Sequence, residues 1–160
     1  AFDRSLEMLG SSIHELRHIA HNMMPESLLK FGLDTALSDF CAEFNKSGTI
    51  TVTYQSFGID SLVAGHTTLI TIYRIVQELL NNVRKHASAT EAMVQLVLSE
   101  KTLTVTVEDN GKGFDTGILD RVKGIGWKNI ISRVEYMSGT WDIQSEPGKG
   151  TAVNIEIKMN

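Results

Sequence analysis

The sequence is poor in cysteine, in proline and in any concentrated positive charge, and each lack excludes something. Cys41 is the single cysteine in 160 residues, so no disulfide can close within the chain and no second thiol stands at a metal-ligand spacing; a reducing cytoplasm is the expected setting. Pro25 and Pro147 are the two prolines, which leaves long stretches free for regular structure. Lysine and arginine number 15 against 19 acidic residues, a net charge of -4 without a basic block, and this excludes bulk nucleic-acid binding, which needs a phosphate-neutralising surface. No apolar run reaches membrane-spanning length and no signal peptide is visible, so no membrane contact by these residues is expected. The chain opens Ala1-Phe-Asp-Arg without methionine, from which a piece of a longer protein is expected. With 42% hydrophobic and 21% charged residues, the composition suits one compact domain with a core and an additional helix.

Phe2, Leu6, Leu9, Ile13, Leu16, Ala20 and Met23 recur alternately by four and three, the seam of a coiled coil or bundle, whose partner must be another helix. Pro25 breaks it. Ser27 to Asn45 then reads as one amphipathic helix, ended by Lys46-Ser-Gly48. Ile50 to Tyr54 alternates as a strand, and Thr67 to His86 is the longest predicted helix, with Ile72, Ile75, Val76, Leu79, Leu80 and Val83 as its buried stripe. Strands are predicted over Ala92 to Leu98 and Leu103 to Val107, a glycine-rich loop over Asn110 to Gly126, and a helix over Trp127 to Met137. Strands around Trp141 to Gln144 and Val153 to Ile157 complete an α/β pattern.

Four segments carry the chemistry: Glu78-Leu-Leu-Asn-Asn82-Val-Arg-Lys85-His86-Ala, Glu108-Asp109-Asn-Gly111-Lys-Gly113-Phe114, Gly124-Ile125-Gly126-Trp-Lys-Asn and Pro147-Gly148-Lys-Gly150-Thr151. In that order they read as an ATP site. Thr71, Arg74, Glu78, Asn82 and Lys85 fall on one helical face opposite the apolar stripe. A solvated face would account for that spacing, but asparagine inside a helix competes for backbone hydrogen bonds and calls for compensation. Mg2+ takes hard oxygen ligands and keeps several waters, so a lone Asn82 amide oxygen suits it, with Glu78 orienting a water or acting as base. Lys85 can offer a phosphate a point charge.

Asp109 continues the phase of Leu103, Val105 and Val107, so its carboxylate is expected towards the apolar side. It is either an Asx-turn residue before glycine or the acceptor for an exocyclic amine at a pocket floor, and in the second case it favours adenine over guanine. Gly111 and Gly113 permit positive φ or close backbone approach. Gly124 and Gly126 precede a predicted helix whose N-terminal amides can seat phosphate. Between these pairs, Thr116 to Lys123, with Arg121 and Lys123, reads as a short mobile flap. Gly148-Lys-Gly150-Thr151 reads equally as a tight turn or as part of the site. His14, His18 and His21 lack acidic or cysteine partners at ligand spacing, so metal binding is not expected of them.

These residues resemble the catalytic ATP-binding domain of a bacterial sensor histidine kinase, more narrowly the nitrate-sensor-like group, in which Tyr73-Arg74-Ile75-Val76-Gln77-Glu78 leads into Asn82 and Lys85-His86-Ala87. The likeness runs from about Glu15 to Ile157 and takes in Gly32-Leu33, Ala36-Leu37, Asn129-Ile130 and Arg133. It implies the α/β two-layer sandwich shared with gyrase, mismatch-repair and heat-shock-chaperone ATPases (the GHKL fold), a mixed sheet covered on one face by helices. It also implies that Asn82 binds Mg2+, that Asp109 reads adenine, and that Lys85, His86, Gly111, Gly113, Phe114, Lys123, Gly124, Ile125, Gly126 and Thr151 surround ATP. Glu78 matches the water-activating glutamate of the ATPase relatives. Trp127 stands where leucine is usual, and no separate phenylalanine box is evident, although Phe114 covers part of that role.

The resemblance makes residues 1–25 the second helix of a dimerisation and phosphotransfer hairpin and residues 26–160 the ATP-binding domain. His14-Glu-Leu-Arg17 lacks the Thr-Pro that follows a phosphoacceptor, and His21 lacks a Leu-His-Asp or Leu-His-Glu setting, so the acceptor histidine is expected upstream of Ala1. The implied partners are ATP, a histidine-bearing helix of its own or a partner chain, and a response regulator, within a homodimer whose parent can be anchored in the inner membrane. A GHKL ATPase clamp and a non-catalytic nucleotide-binding module are the alternatives.

Overall fold

The computed structural model describes residues 26–46, 48–118 and 125–160, together with Ser5 and Met8. The heptad seam between residues 2 and 23, Pro25, the histidines His14, His18 and His21, Arg121 and Lys123 of the expected flap, and Gly124 lie outside the described residues.

Where one helix was expected, two occur, α1 (Glu26–Phe31) and α2 (Leu33–Lys46). Gly32 between them takes φ 87, a left-handed conformation that glycine adopts without a Cβ penalty and that ends the first helix. Strand β1 (Thr51–Phe57) follows, then α3 (His66–Asn82), β2 (Glu91–Ser99), β3 (Thr102–Asp109), α4 (Ile125–Tyr136), β4 (Thr140–Ser145) and β5 (Thr151–Lys158). Strands β2 to β5 extend beyond their expected limits at both ends, whereas α4 starts two residues earlier and ends one residue earlier than expected, and β1 starts one residue later and runs three residues further. Among the described residues the strands form one sheet in the order β1-β2-β3-β5-β4. The β1–β2 pair is parallel and the other three pairs are antiparallel, so the sheet is mixed, with α3 inside the long crossover that a parallel pair requires.

Alternation decides the layers. Val94 and Leu96, Leu103, Val105 and Val107, and Val153, Ile155 and Ile157 are buried in one core with Ile72, Ile75, Val76, Leu79 and Leu80 of α3. Each such aliphatic side chain contributes about 1.5–3 kcal/mol on burial. The alternate positions are more polar, and Thr106 Oγ1 donates to Asn154 Oδ1 at 2.9 Å across that opposite face. Helices therefore cover one face of the sheet, as expected.

The α-helical hydrogen bonding of α3 stops at Asn82, four residues short of the expected His86. Val83–Ala87 forms a wider π turn, and Ser88 then takes φ 50. The Ala87 carbonyl accepts the Lys112 N–H at 2.6 Å, so a bond from the loop after β3 takes up the carbonyl that ends the π turn. Such wide turns recur at functional sites.

Candidate functional site

A cavity of about 520 Å³ opens where α3 and its π turn meet the ends of β3 and β5 and the first turn of α4. Glu78, Asn82, Lys85 and His86 line it from the helix side, Asp109 and Thr151 from the strand ends, Gly113 and Phe114 from the loop, and Gly126 from α4. Ala87, Val107 and Val153 provide apolar wall. A concave, mostly apolar cleft with a few convergent polar groups is the usual form of a small-molecule site.

Asp109 sits at the end of β3, half-buried as its phase requires. Burial raises its carboxyl pKa above the ordinary range, and the backbone amides of Gly111 and Thr151 oppose that rise. The Gly111 N–H donates to Asp109 Oδ1 at 2.8 Å. The turn role and the cleft role are thus compatible in one residue: one oxygen holds the turn, and the carboxylate still borders the cavity.

At the helix side, Asn82 and Glu78 converge on the first turn of α4. A methyl group placed on Gly126 would lie 3.1 Å from Asn82 Oδ1 and 3.7 Å from Glu78 Oε2, so both oxygens flank one point. Asn82 Nδ2 is buried without a hydrogen-bond partner, an arrangement that ordinarily costs free energy. No group of three or more His, Cys, Asp or Glu side chains converges anywhere among the described residues. One amide oxygen beside one carboxylate fits an Mg2+ ion whose other ligands are phosphate and water.

The glycines divide into two roles. Gly126 and Gly113 border the cavity. Gly111 does not line it: it is buried, and a Cβ there would lie 2.2 Å from the Ala87 carbonyl oxygen. A Cβ on Gly113 would lie 2.1 Å from Glu146 O, and one on Gly150 would lie 2.1 Å from Asp109 O. At these three positions the missing side chain permits backbone to pack on backbone. Ile125 opens α4, while Lys123 and Gly124 are outside the described residues.

Two aromatic rings form one wall. Phe114 and Trp127 stand edge to face with centroids 6.2 Å apart, and both line the cavity; such pairs add to simple burial. Lys112 also lines it, and its one mark in the sequence is a cation set between two glycines. Ala87, Val107 and Val153 carried no separate signal, because a wall residue and a core residue look alike in hydrophobic periodicity.

Residues 67–160 match the family model of histidine kinase-, DNA gyrase B- and HSP90-like ATPases. The chain is 35% identical over 89% of its length to the sensor histidine kinase MctS of Rhizobium johnstonii. It is 31% identical over 95% of its length to the oxygen sensor histidine kinase NreB of Staphylococcus carnosus. It covers only 31% and 44% of those proteins' own lengths. Among solved structures, the histidine kinase domain of the Erythrobacter litoralis EL346 blue-light activated histidine kinase aligns with a TM-score of 0.65 at 27% identity, over 79% of this chain and 61% of that one. No helix among the described residues is long and apolar enough to cross a membrane. With the mixed sheet, the helix-borne Glu78 and Asn82 and the strand-end Asp109 in place, the chain belongs to the histidine kinase-, DNA gyrase B- and HSP90-like ATPase family, as an ATP-binding catalytic domain of the sensor histidine kinase kind.

Proposed function

We propose that the cleft binds ATP with Mg2+ and that the domain transfers the γ-phosphoryl group to a histidine carried on a separate helix, of the same chain or of the partner in a homodimer. The observation supporting this is convergence: a half-buried carboxylate at the strand ends and a carboxylate-amide pair on α3 border the same 520 Å³ cavity. Asp109 accepts from the adenine amine. Asn82 holds the metal, and Lys85, His86 and Lys112 border the phosphates with Gly113 and Gly126. Phe114 and Thr151 flank the nucleoside, and Lys123, Gly124 and Ile125 are assigned to ATP on the resemblance.

When bound, Mg2+ supplies charge neutralisation for the transferring phosphoryl group. The bond between the γ-phosphorus and the β–γ bridging oxygen breaks as a nitrogen–phosphorus bond forms, ADP leaves, and Glu78 is the group offered for the histidine proton. Positioning carries most of such a reaction. Residues 1–25 are assigned to the second helix of the hairpin that presents the acceptor, and residues 26–160 to the catalytic domain. A response regulator is the onward phosphoryl acceptor.

The test incubates the protein with γ-labelled ATP and a polypeptide bearing a helical Leu-His-Asp acceptor. Acid-labile, alkali-stable label on that histidine is expected, and its loss in Asn82→Ala. Release of inorganic phosphate without labelled polypeptide would instead assign Glu78 to water activation, as in an ATPase clamp.

A further inference from the structure

Ser145, the last residue of β4, touches three partners with one hydroxyl. Its Oγ accepts the Phe114 N–H at 2.9 Å, reaches the Gly150 carbonyl at 3.1 Å and lies 2.8 Å from Thr151 Oγ1. A hydroxyl has one proton to donate and two lone pairs to accept with. Gly150 is buried, and Ser145 is the one hydrogen-bond donor to its carbonyl among the described residues. Leaving a buried carbonyl unpaired is the costlier arrangement, so the Ser145 proton goes to Gly150. The short Ser145–Thr151 contact then has one consistent polarity, with Thr151 donating. Thr151 therefore has only lone pairs left for the cleft that it lines.

Thr151 is paired directly with Asp109 across β3 and β5, and side chains at such positions share a face about 4.5–5.5 Å apart at Cβ. An ionised carboxylate is also an acceptor only. We propose that Ser145 is a specificity-setting residue, holding Thr151 as a pure acceptor beside Asp109 so that the strand-end floor accepts twice and donates nothing from its side chains. This inference rests on the reading of the cleft as a nucleotide site. An exocyclic amine brings two protons to such a floor. A 6-oxo purine brings a carbonyl towards two acceptors and is rejected. Ser145 does not line the cavity itself, so it acts by positioning.

The experiment measures ATP and inosine triphosphate affinities by titration calorimetry for the unaltered protein, Ser145→Ala, Ser145→Thr, Thr151→Val and the Ser145→Ala/Thr151→Val double variant. Ser145→Ala frees the Thr151 hydroxyl to turn and donate, so the ATP preference should fall about tenfold, the worth of one hydrogen bond. Ser145→Thr keeps the hydroxyl and should keep the preference. In the Thr151→Val background, Ser145→Ala should change the ratio no further, because the two act through one group. Equal weakening of both nucleotides by Ser145→Ala, or an independent effect in the double variant, overturns the proposal. Should Ser145→Ala not fold, an unchanged ratio in Thr151→Val overturns it equally. If the unaltered protein does not distinguish the two nucleotides, the adenine reading of the cleft itself is refuted, which is a separate outcome.

Discussion

Gly126, in the first turn of α4, lies against the side chain of Asn82 so closely that a Cβ there would stand 3.1 Å from Asn82 Oδ1. That gap is tight, but the atom it meets belongs to a side chain that can move. Gly126→Ala is therefore expected to leave folding stability within about 0.5 kcal/mol of the parent and to displace the Asn82 amide. ATP affinity in Mg2+ should fall roughly three- to tenfold, the range of a weakened hydrogen bond or ligand contact. Calorimetric titration beside a thermal melt separates the two effects.

Asn82→Ala removes the amide oxygen and also the buried, unpartnered Nδ2. Loss of an unsatisfied group offsets part of the packing lost, so folding should survive. ATP binding should fall by at least about tenfold with Mg2+ and much less with chelator, since the amide completes a coordination sphere made mostly of phosphate and water. An identical loss in both conditions would show that Asn82 acts through folding.

Asp109→Asn should weaken ATP binding by about 1.5–3 kcal/mol, the range for a hydrogen bond to a charged group. Its effect on the nucleotide-free protein has the opposite sign. Burial raises the Asp109 pKa in the folded state, so its favourable contribution is present below the ordinary carboxylate pKa and lost as pH rises through the folded value. At pH 7 the ionised group costs stability, and solvent screening of the half-buried carboxylate keeps that cost small. The asparagine variant should melt slightly higher at neutral pH, and the gain should vanish below about pH 4. Melts across that range in the absence of nucleotide check the sign.

Gly111→Ala should be destabilising by about 1–3 kcal/mol, as overpacking commonly is. A Cβ at that position would lie 2.2 Å from the Ala87 carbonyl oxygen, and backbone cannot step aside as a side chain can. Gly65→Ala is the control: nothing lies within 4 Å of its Cβ, and its φ of -67 suits any residue. Urea unfolding of the two variants should show a lower midpoint for the first alone.

Cys41 is buried in α2, and burial pushes its thiol pKa up to about 12. Since the thiolate is the reactive form, labelling by a maleimide at pH 7.5 should be at least about a hundredfold slower in the native protein than in urea, with mass spectrometry reading the single adduct. Fast native labelling would mean that α2 opens readily from the core.

The periodicity of the chain was enough to place the α3 stripe, the alternation of β3 and the inward phase of Asp109, because side-chain direction in a helix or strand follows from backbone repeat alone. The same local reasoning put Glu78 and Asn82 on one face and marked the glycines as special. It could not divide those glycines. Gly111 and Gly150 meet the carbonyls of Ala87 and Asp109, residues 24 and 41 positions away in the chain, and only the folded chain brings those atoms together. The break at Gly32 and the π turn at Val83–Ala87 also escaped the pattern, since aliphatic spacing continues across both. Ser145 lies furthest from what local pattern shows: as a residue type it is an ordinary strand-end serine, and its three partners come from the loop at Phe114 and the turn before β5. Residue order alone thus marked which side chains are candidates for chemistry and which way each points from its own element. Tertiary structure decided which of them share a cleft, which glycines serve backbone packing and which groups surround the Ser145 hydroxyl, because distances and hydrogen-bond partners across elements are properties of the packed chain.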